Sequence, residues 1–173
     1  MTMIAACDSH LDAEVGGALL PQALDVVPVA SAPTVVIMPG LPTPALTSGP
    51  VRLAIDHAVP WREIVPLLAA VDRSGAQPSF LVGQRHHVRG FVITEPLTDE
   101  YALRLRPTAV GKFCLSPPGT RAAYCVETGT RRHISSLYVR EAVRKAVAEY
   151  GITQARVVPD DDARWGDVVR TID

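Results

Sequence analysis

The feature that most restricts the fold of this chain is a segment written twice at a constant offset of 104 residues, as from Arg52 to Arg156. Val51-Arg-Leu-Ala-Ile-Asp56-His-Ala-Val-Pro60-Trp61-Arg-Glu-Ile64-Val65 aligns without a gap on Ala155-Arg-Val-Val-Pro-Asp160-Asp-Asp-Ala-Arg-Trp165-Gly-Asp-Val168-Val169. Arg52, Asp56, Trp61 and Val65 recur as Arg156, Asp160, Trp165 and Val169, and the apolar Leu53 and Ile64 recur as Val157 and Val168. Each copy reads as a strand, a tight acidic turn and the start of a helix. A pattern repeated at fixed spacing is one supersecondary unit used again, so these residues belong to a scaffold before they belong to any chemistry.

The 173 residues, 47% of them hydrophobic, suffice for one domain of ordinary size or two small units sharing a core. A formal net charge of -1, from 17 basic and 18 acidic residues, provides no field for a polyanion, which argues against nucleic acid as a partner. Arg85-His-His-Val-Arg89 and Arg131-Arg-His133 gather charge locally, but without interleaved aromatics they read as solvated turns. No apolar run reaches the length of a membrane-spanning helix.

Around these copies the chain divides into an N-terminal arm or linker (1–33), a first unit (34–94) and a second unit (95–173) that stops within its last helix. Thr34-Val-Val-Ile-Met38 and Val51 to Ile55 predict strands. Trp61, Ile64, Val65, Leu68 and Val71 follow helical spacing, with Ser74-Gly75 as the stop and Pro78 to Val82 as the next strand. That connection is long enough for a parallel crossover. Val88 to Thr94, Tyr101 to Leu105, Lys112 to Leu115 and Ala122 to Glu127 predict further strands, the first two joined by Glu95 to Asp99. Ser135 and Ser136 stand ready to cap a helix whose stripe is Val139, Val143, Ala146, Val147 and Tyr150, ended by Gly151. The expected class is α+β: a mixed β-sheet with two to three amphipathic helices packed on it, built on an internal strand-turn-helix repeat.

Cysteine usage leaves alternatives open. Cys114 and Cys125 bracket the Ser116-Pro-Pro-Gly119 turn, and either pair as a disulfide in an oxidising compartment or are separate small buried residues. Ile4-Ala-Ala-Cys7 has the form of a lipoprotein cleavage box, with Cys7 the candidate for lipidation. Only six residues, none basic, precede Cys7, so the box cannot work as written. Either a longer precursor was trimmed or the tetrapeptide is chance.

From about Ala122 to Asp173 the chain resembles the soluble periplasmic domain of the ExbD/TolR biopolymer-transport family. The likeness lies in Leu137-Tyr-Val-Arg-Glu-Ala-Val-Arg-Lys-Ala-Val-Ala-Glu149, the strand Ala155-Arg-Val-Val, and Asp160-Asp-Asp-Ala-Arg-Trp-Gly166-Asp-Val-Val-Arg-Thr-Ile172. Val51 to Val82 resembles the latter half of the same family, including its Ser74-Gly75-Ala76 turn. The resemblance implies a non-enzymatic envelope component, periplasmic, that engages an envelope protein or peptidoglycan and self-associates as a homodimer through a sheet edge or the truncated helix. A cytoplasmic location follows instead if Met1 is the native start and the likeness is accidental. The family's transmembrane helix with its proton-carrying aspartate is absent from this sequence, and neither Asp8 nor Asp12 lies in an apolar helix that would take its role.

Against this stands a second class of function, a small α/β enzyme with a histidine-containing pocket drawn from His57, His86 and His87, with Cys114 as a further contributor. No serine elbow, phosphate-cradling glycine loop or metal-ligand spacing supports it, and no cofactor or metal is expected. The bland readings are specific. Trp61 and Trp165 cover the core ends with each indole N–H on a turn carbonyl; Asp160 to Asp162 serve a helix start; Asp56 and His57, adjacent on the first acidic turn, do not address one another; His86 and His87, being neighbours on an extended segment, face opposite ways. The two copies pairing with each other, in place of two chains, is a third arrangement.

Overall fold

The computed structural model describes residues 13–93, 102–109, 111–120, 123–127, 136–152 and 154–173. Among them, in chain order, lie β1 (Glu14–Val15), β2 (Ala18–Leu19), β3 (Thr34–Ile37), β4 (Gly49–Ile55), α1 (Trp61–Ser74), β5 (Ala76–Gln84), β6 (His87–Phe91), β7 (Leu103–Pro107), β8 (Lys112–Ser116), β9 (Tyr124–Glu127), α2 (Ser136–Tyr150), β10 (Ala155–Val157) and α3 (Trp165–Ile172). The fold is α+β, with helices packed on mixed sheets. One sheet has the order β3-β4-β5-β6, the other β10-β7-β8-β9, and β1-β2 is a separate hairpin. The β3-β4, β4-β5 and β10-β7 pairs are parallel; β5-β6, β7-β8 and β8-β9 are antiparallel. Cys7, Asp8, Asp12, the Glu95 to Asp99 connection, Arg131 to His133 and Ser135 lie outside the described residues.

Local pattern explains the first unit. Val51, Leu53 and Ile55 alternate inward along β4 and join Ile64, Leu67 and Val71 of α1 in one core. The stripe of α1 runs i, i+3, i+7 from Ile64, which turns Val65 outward to 50% exposure although its spacing also permits an inward place. Pro66 is tolerated inside the helix, and Gly75 ends it in the left-handed region at φ 67°. The crossover to β5 is then parallel, as its length allows.

Residues 13–29, which read as arm or linker, are laid against the first sheet. Ala13 and Leu20 bury Ala54 and Leu81 on the face opposite α1, with Val15 and Val29 alongside. The Ala23 N–H donates to the Gly83 carbonyl (3.0 Å), the Gly83 N–H to Pro21 (2.8 Å), and Val27 and Gly90 exchange both bonds at 2.9 Å. A Cβ on Gly90 would stand 2.9 Å from Val27 Cγ2 and 3.2 Å from the Pro28 carbonyl, so the close approach needs glycine there. No hydrophobic period marks such a segment because its backbone does the pairing.

The two copies of the repeat meet head to head. The Trp61 N–H donates to the Ala163 carbonyl (2.8 Å) and the Trp165 N–H to Val59 (2.7 Å); the Arg62 N–H donates to Asp161 (2.8 Å) and the Gly166 N–H to His57 (2.9 Å). Every bond has its partner at the repeat offset, and Pro60 faces Arg164 as a bridge. The first two amides of each helix are thus satisfied by carbonyls of the other copy, and the third, Glu63 or Asp167, by the carbonyl of its own N-cap residue. This corrects the expectation that Asp160 to Asp162 cap the helix they precede: α3 has Arg164 at its N-cap and no side-chain cap, and α1, with Pro60 there, has none either. The turns themselves repeat as well, Val59 to Asp56 (3.0 Å) matching Ala163 to Asp160 (2.9 Å).

Equivalence ends at the side chains. Trp165 is fully buried against Phe80, ring centroids 5.7 Å apart, while Trp61 is half-buried at the edge of the same core. The Trp165 indole Nε1 reaches no hydrogen-bond partner among the described residues, contrary to the expected turn carbonyl. Trp165, Val168 and Val169 of α3 close the core of the first sheet, whereas the second sheet buries Leu103, Leu105, Phe113 and Leu115 against Val139 and Ala146 of α2.

Trp165→Ala is therefore expected to cost about 3–5 kcal/mol, and Trp61→Ala clearly less, in urea unfolding with unchanged slopes. Equal losses would mean that the copies contribute equally to one core.

Candidate functional site

The residues singled out from the sequence are mostly engaged in holding the fold. Asp56 is buried, its Oδ2 accepting the Leu19 N–H and its Oδ1 the Ala58 N–H, each at 2.9 Å. His57 does address its neighbour, against expectation: Nδ1 lies 3.6 Å from Asp56 Oδ1 and 3.3 Å from the Leu19 carbonyl. Both therefore clamp the β1-β2 hairpin to the first sheet. His86 and His87 are exposed at the β5-β6 turn, where Arg85 adopts φ 56°. Asp160 stands 3.3 Å from Arg106, and Asp162 pairs with Arg62. Cys114 is bonded to Cys125, directly opposite it in the β8-β9 ladder, and so offers no free thiol. The Tyr150 phenol is raised above its ordinary range by the adjacent Glu149, which hydrogen-bonds it and repels its anion. No group of three His, Cys, Asp or Glu able to hold a metal ion occurs among the described residues.

A groove of about 470 Å³ opens instead where four separated segments converge: Leu24 to Val27, Gln84 at the end of β5, Phe91 and Val92 at the end of β6, and Ile172 with Asp173 after α3. Its polar rim is firmly built. Asp173 Oδ1 accepts the N–H groups of Leu24 and Asp25, both at 2.7 Å, and its side chain is only 1% exposed. Arg140 of α2 donates to the Asp173 carbonyl (2.7 Å) and lies 3.6 Å from Asp25 Oδ2, while Gln84 Nε2 donates to the Leu24 carbonyl (3.1 Å). A carboxylate held by two amides is a charge-assisted nest, stronger than neutral pairs. The apolar rim is open to solvent: Leu24 is 62% exposed, Val92 57%, Val27 39% and Ile172 37%. Exposed aliphatic side chains gathered round one concavity mark an interaction site more than scattered ones do. A second hollow of about 500 Å³, between Thr43 to Leu46 and Pro66, Ala70, Arg73 and Ser74 of α1, is lined by smaller and polar side chains.

Sequence reasoning missed the groove because its walls lie up to 149 positions apart, from Leu24 to Asp173. The available signal was Leu24-Asp25-Val26-Val27, an apolar cluster inside a stretch that otherwise reads as linker.

Comparison with protein-family models, with curated proteins and with solved structures finds no match to this chain. The likeness to ExbD/TolR proteins accordingly stands on the residues quoted for it.

Asp173→Ala is expected to remove about 1–3 kcal/mol and to speed hydrogen exchange at the Leu24 and Asp25 amides. Unchanged exchange at those two amides would show that the nest does not hold the segment.

Proposed function

We propose that the chain is a non-enzymatic binding or scaffold module of the bacterial cell envelope, whose groove beside Leu24 to Val27 receives a protein partner. The observation that carries this reading is the exposed aliphatic rim of Leu24, Val27, Val92 and Ile172 on a floor held by Asp173 and Arg140. A preformed concavity of this kind binds without a large ordering cost. The Cys114–Cys125 disulfide supports an oxidising compartment, as the periplasm is. The resemblance to ExbD/TolR domains points the same way, and among the described residues no helix is long and apolar enough to cross a membrane. The small-enzyme reading draws on the contact of His57 with Asp56, which the hairpin already occupies. Peptidoglycan and a second copy of the chain are the competing occupants.

The test is a photo-reactive side chain at Val92 in protein exported to the periplasm. One cross-linked envelope protein is expected, its yield falling in Val27→Glu and absent from a probe at Asp72 on the far end of α1. Co-sedimentation with purified peptidoglycan that survives Val27→Glu would overturn the reading in favour of a saccharide ligand elsewhere. Cross-linking only to the chain itself, with a matching dimer mass by light scattering, would assign the groove to self-association.

A further inference from the structure

The outer face of the second sheet differs from its counterpart in the first in a way that calls for a ligand. Register makes the counterparts explicit: Thr34 lies opposite Arg52 and Val36 opposite Ala54, as Arg104 lies opposite Arg156. In the first unit residues 13–29 cover this face, leaving Ala54 fully buried and Leu81 2% exposed. In the second, Val158, which stands where Ala54 does in the repeat, is 44% exposed, Arg104 is exposed and the Arg106 side chain is 52% exposed.

Charge distinguishes the open face further. Arg104 and Arg156 are direct register partners, an arrangement of like charges that destabilises a ladder. Neither has a carboxylate partner among the described residues, and the Arg156 Nε is buried without an acceptor. Arg52, its counterpart, also lacks an acceptor at Nε but lies opposite Thr34, so the doubled charge is confined to the uncovered face. Ser116 continues the row beside Arg104, and the Cys114–Cys125 disulfide staples the adjacent strands opposite Arg106.

We infer that this face is a docking surface for an acidic protein segment in extended conformation. Alternate side chains of an extended chain repeat at about 6.6 Å, the spacing at which Arg104 and Arg106 project from β7, so one carboxylate set on Arg104 and its register partner Arg156 brings the next alternate side chain to Arg106, which Asp160 already meets at 3.3 Å. Val158, which the register sets beside Arg106, supplies an apolar contact. A polyphosphate or an anionic bilayer fits less well, because its charge is denser or broader than the paired Arg104 and Arg156 can match, the neighbouring Arg106 being already engaged by Asp160. The inference is independent of the groove beside Val92.

A fluorescently labelled peptide alternating glutamate and valine serves as the probe, with its glutamine counterpart, phosphatidylglycerol vesicles and inorganic polyphosphate as comparisons. Saturable, salt-sensitive binding of the glutamate peptide is expected, weakened about tenfold or more by Arg104→Gln with Arg156→Gln and unaffected by Val92→Glu. Removing the like-charge pair is expected to leave the melting temperature equal or higher, so a loss of binding is not a loss of fold. Should the double variant melt lower, Arg104→Gln alone, at an exposed position, carries the same test. Absence of saturable binding, equal binding by the arginine variants, or tighter binding to vesicles or polyphosphate would overturn the inference.

Discussion

Four backbone hydrogen bonds between the two copies of one motif organise the molecule. Trp61 and Arg62 donate to carbonyls of the second turn, and Trp165 and Gly166 donate to carbonyls of the first. Helix starts normally call on side chains or water for these amides; here each start is the other's cap. The arrangement requires the turns to approach closely, and Gly166 is where this shows, since a Cβ there would lie 3.1 Å from His57 Cβ and 3.2 Å from its carbonyl. With the amides satisfied by backbone, the acidic side chains are released for other contacts. Asp56 holds the hairpin and Asp160 meets Arg106.

Much of this architecture was legible from the chain. Alternation at Val51, Leu53 and Ile55, the helical spacing from Ile64 to Val71 and the stop at Gly75 are local signals, and they name β4, α1 and the parallel crossover. The repeat itself could be read from identities alone. That the copies pair with each other stood as one arrangement among three, but the atoms by which they do so could not be read, because a contact across 104 residues leaves no periodicity in either partner. The segment from Ala13 to Val29 was illegible for a related reason: it is held by backbone bonds to Gly83 and Gly90, and glycine records permission for contact without saying what makes it. Val65 shows a subtler limit. Its spacing fits the apolar stripe of α1, yet the face that packs is centred on Ile64 and Leu67.

The repeat also shows how one motif acquires two kinds of surface. Both copies keep the inward apolar side of the strand and the head-to-head turn. They differ on the outward side, where small and aliphatic residues lie under chain in the first unit and arginines stand open in the second. The same freedom separates Trp61 from Trp165: once backbone bonds fix both helix starts, only one indole is needed to fill the centre. Selection on the shared backbone contacts therefore leaves the outward residues free to diverge.

Because α3 belongs to the core of the first sheet, order of synthesis and order of packing disagree. Ile37, Leu53 and Ile64 emerge from a ribosome long before Trp165, Val168 and Val169, on which they close. Until residue 169 has been made, that sheet can assemble only a core open on the side α3 will cover. Contacts so distant in sequence slow folding and prolong exposure of apolar strands. Between the synthesis of Ile64 and that of Trp165 the growing chain therefore carries an apolar face without its cover, and a ribosome stalled before Trp165 displays the very surface that the finished molecule hides.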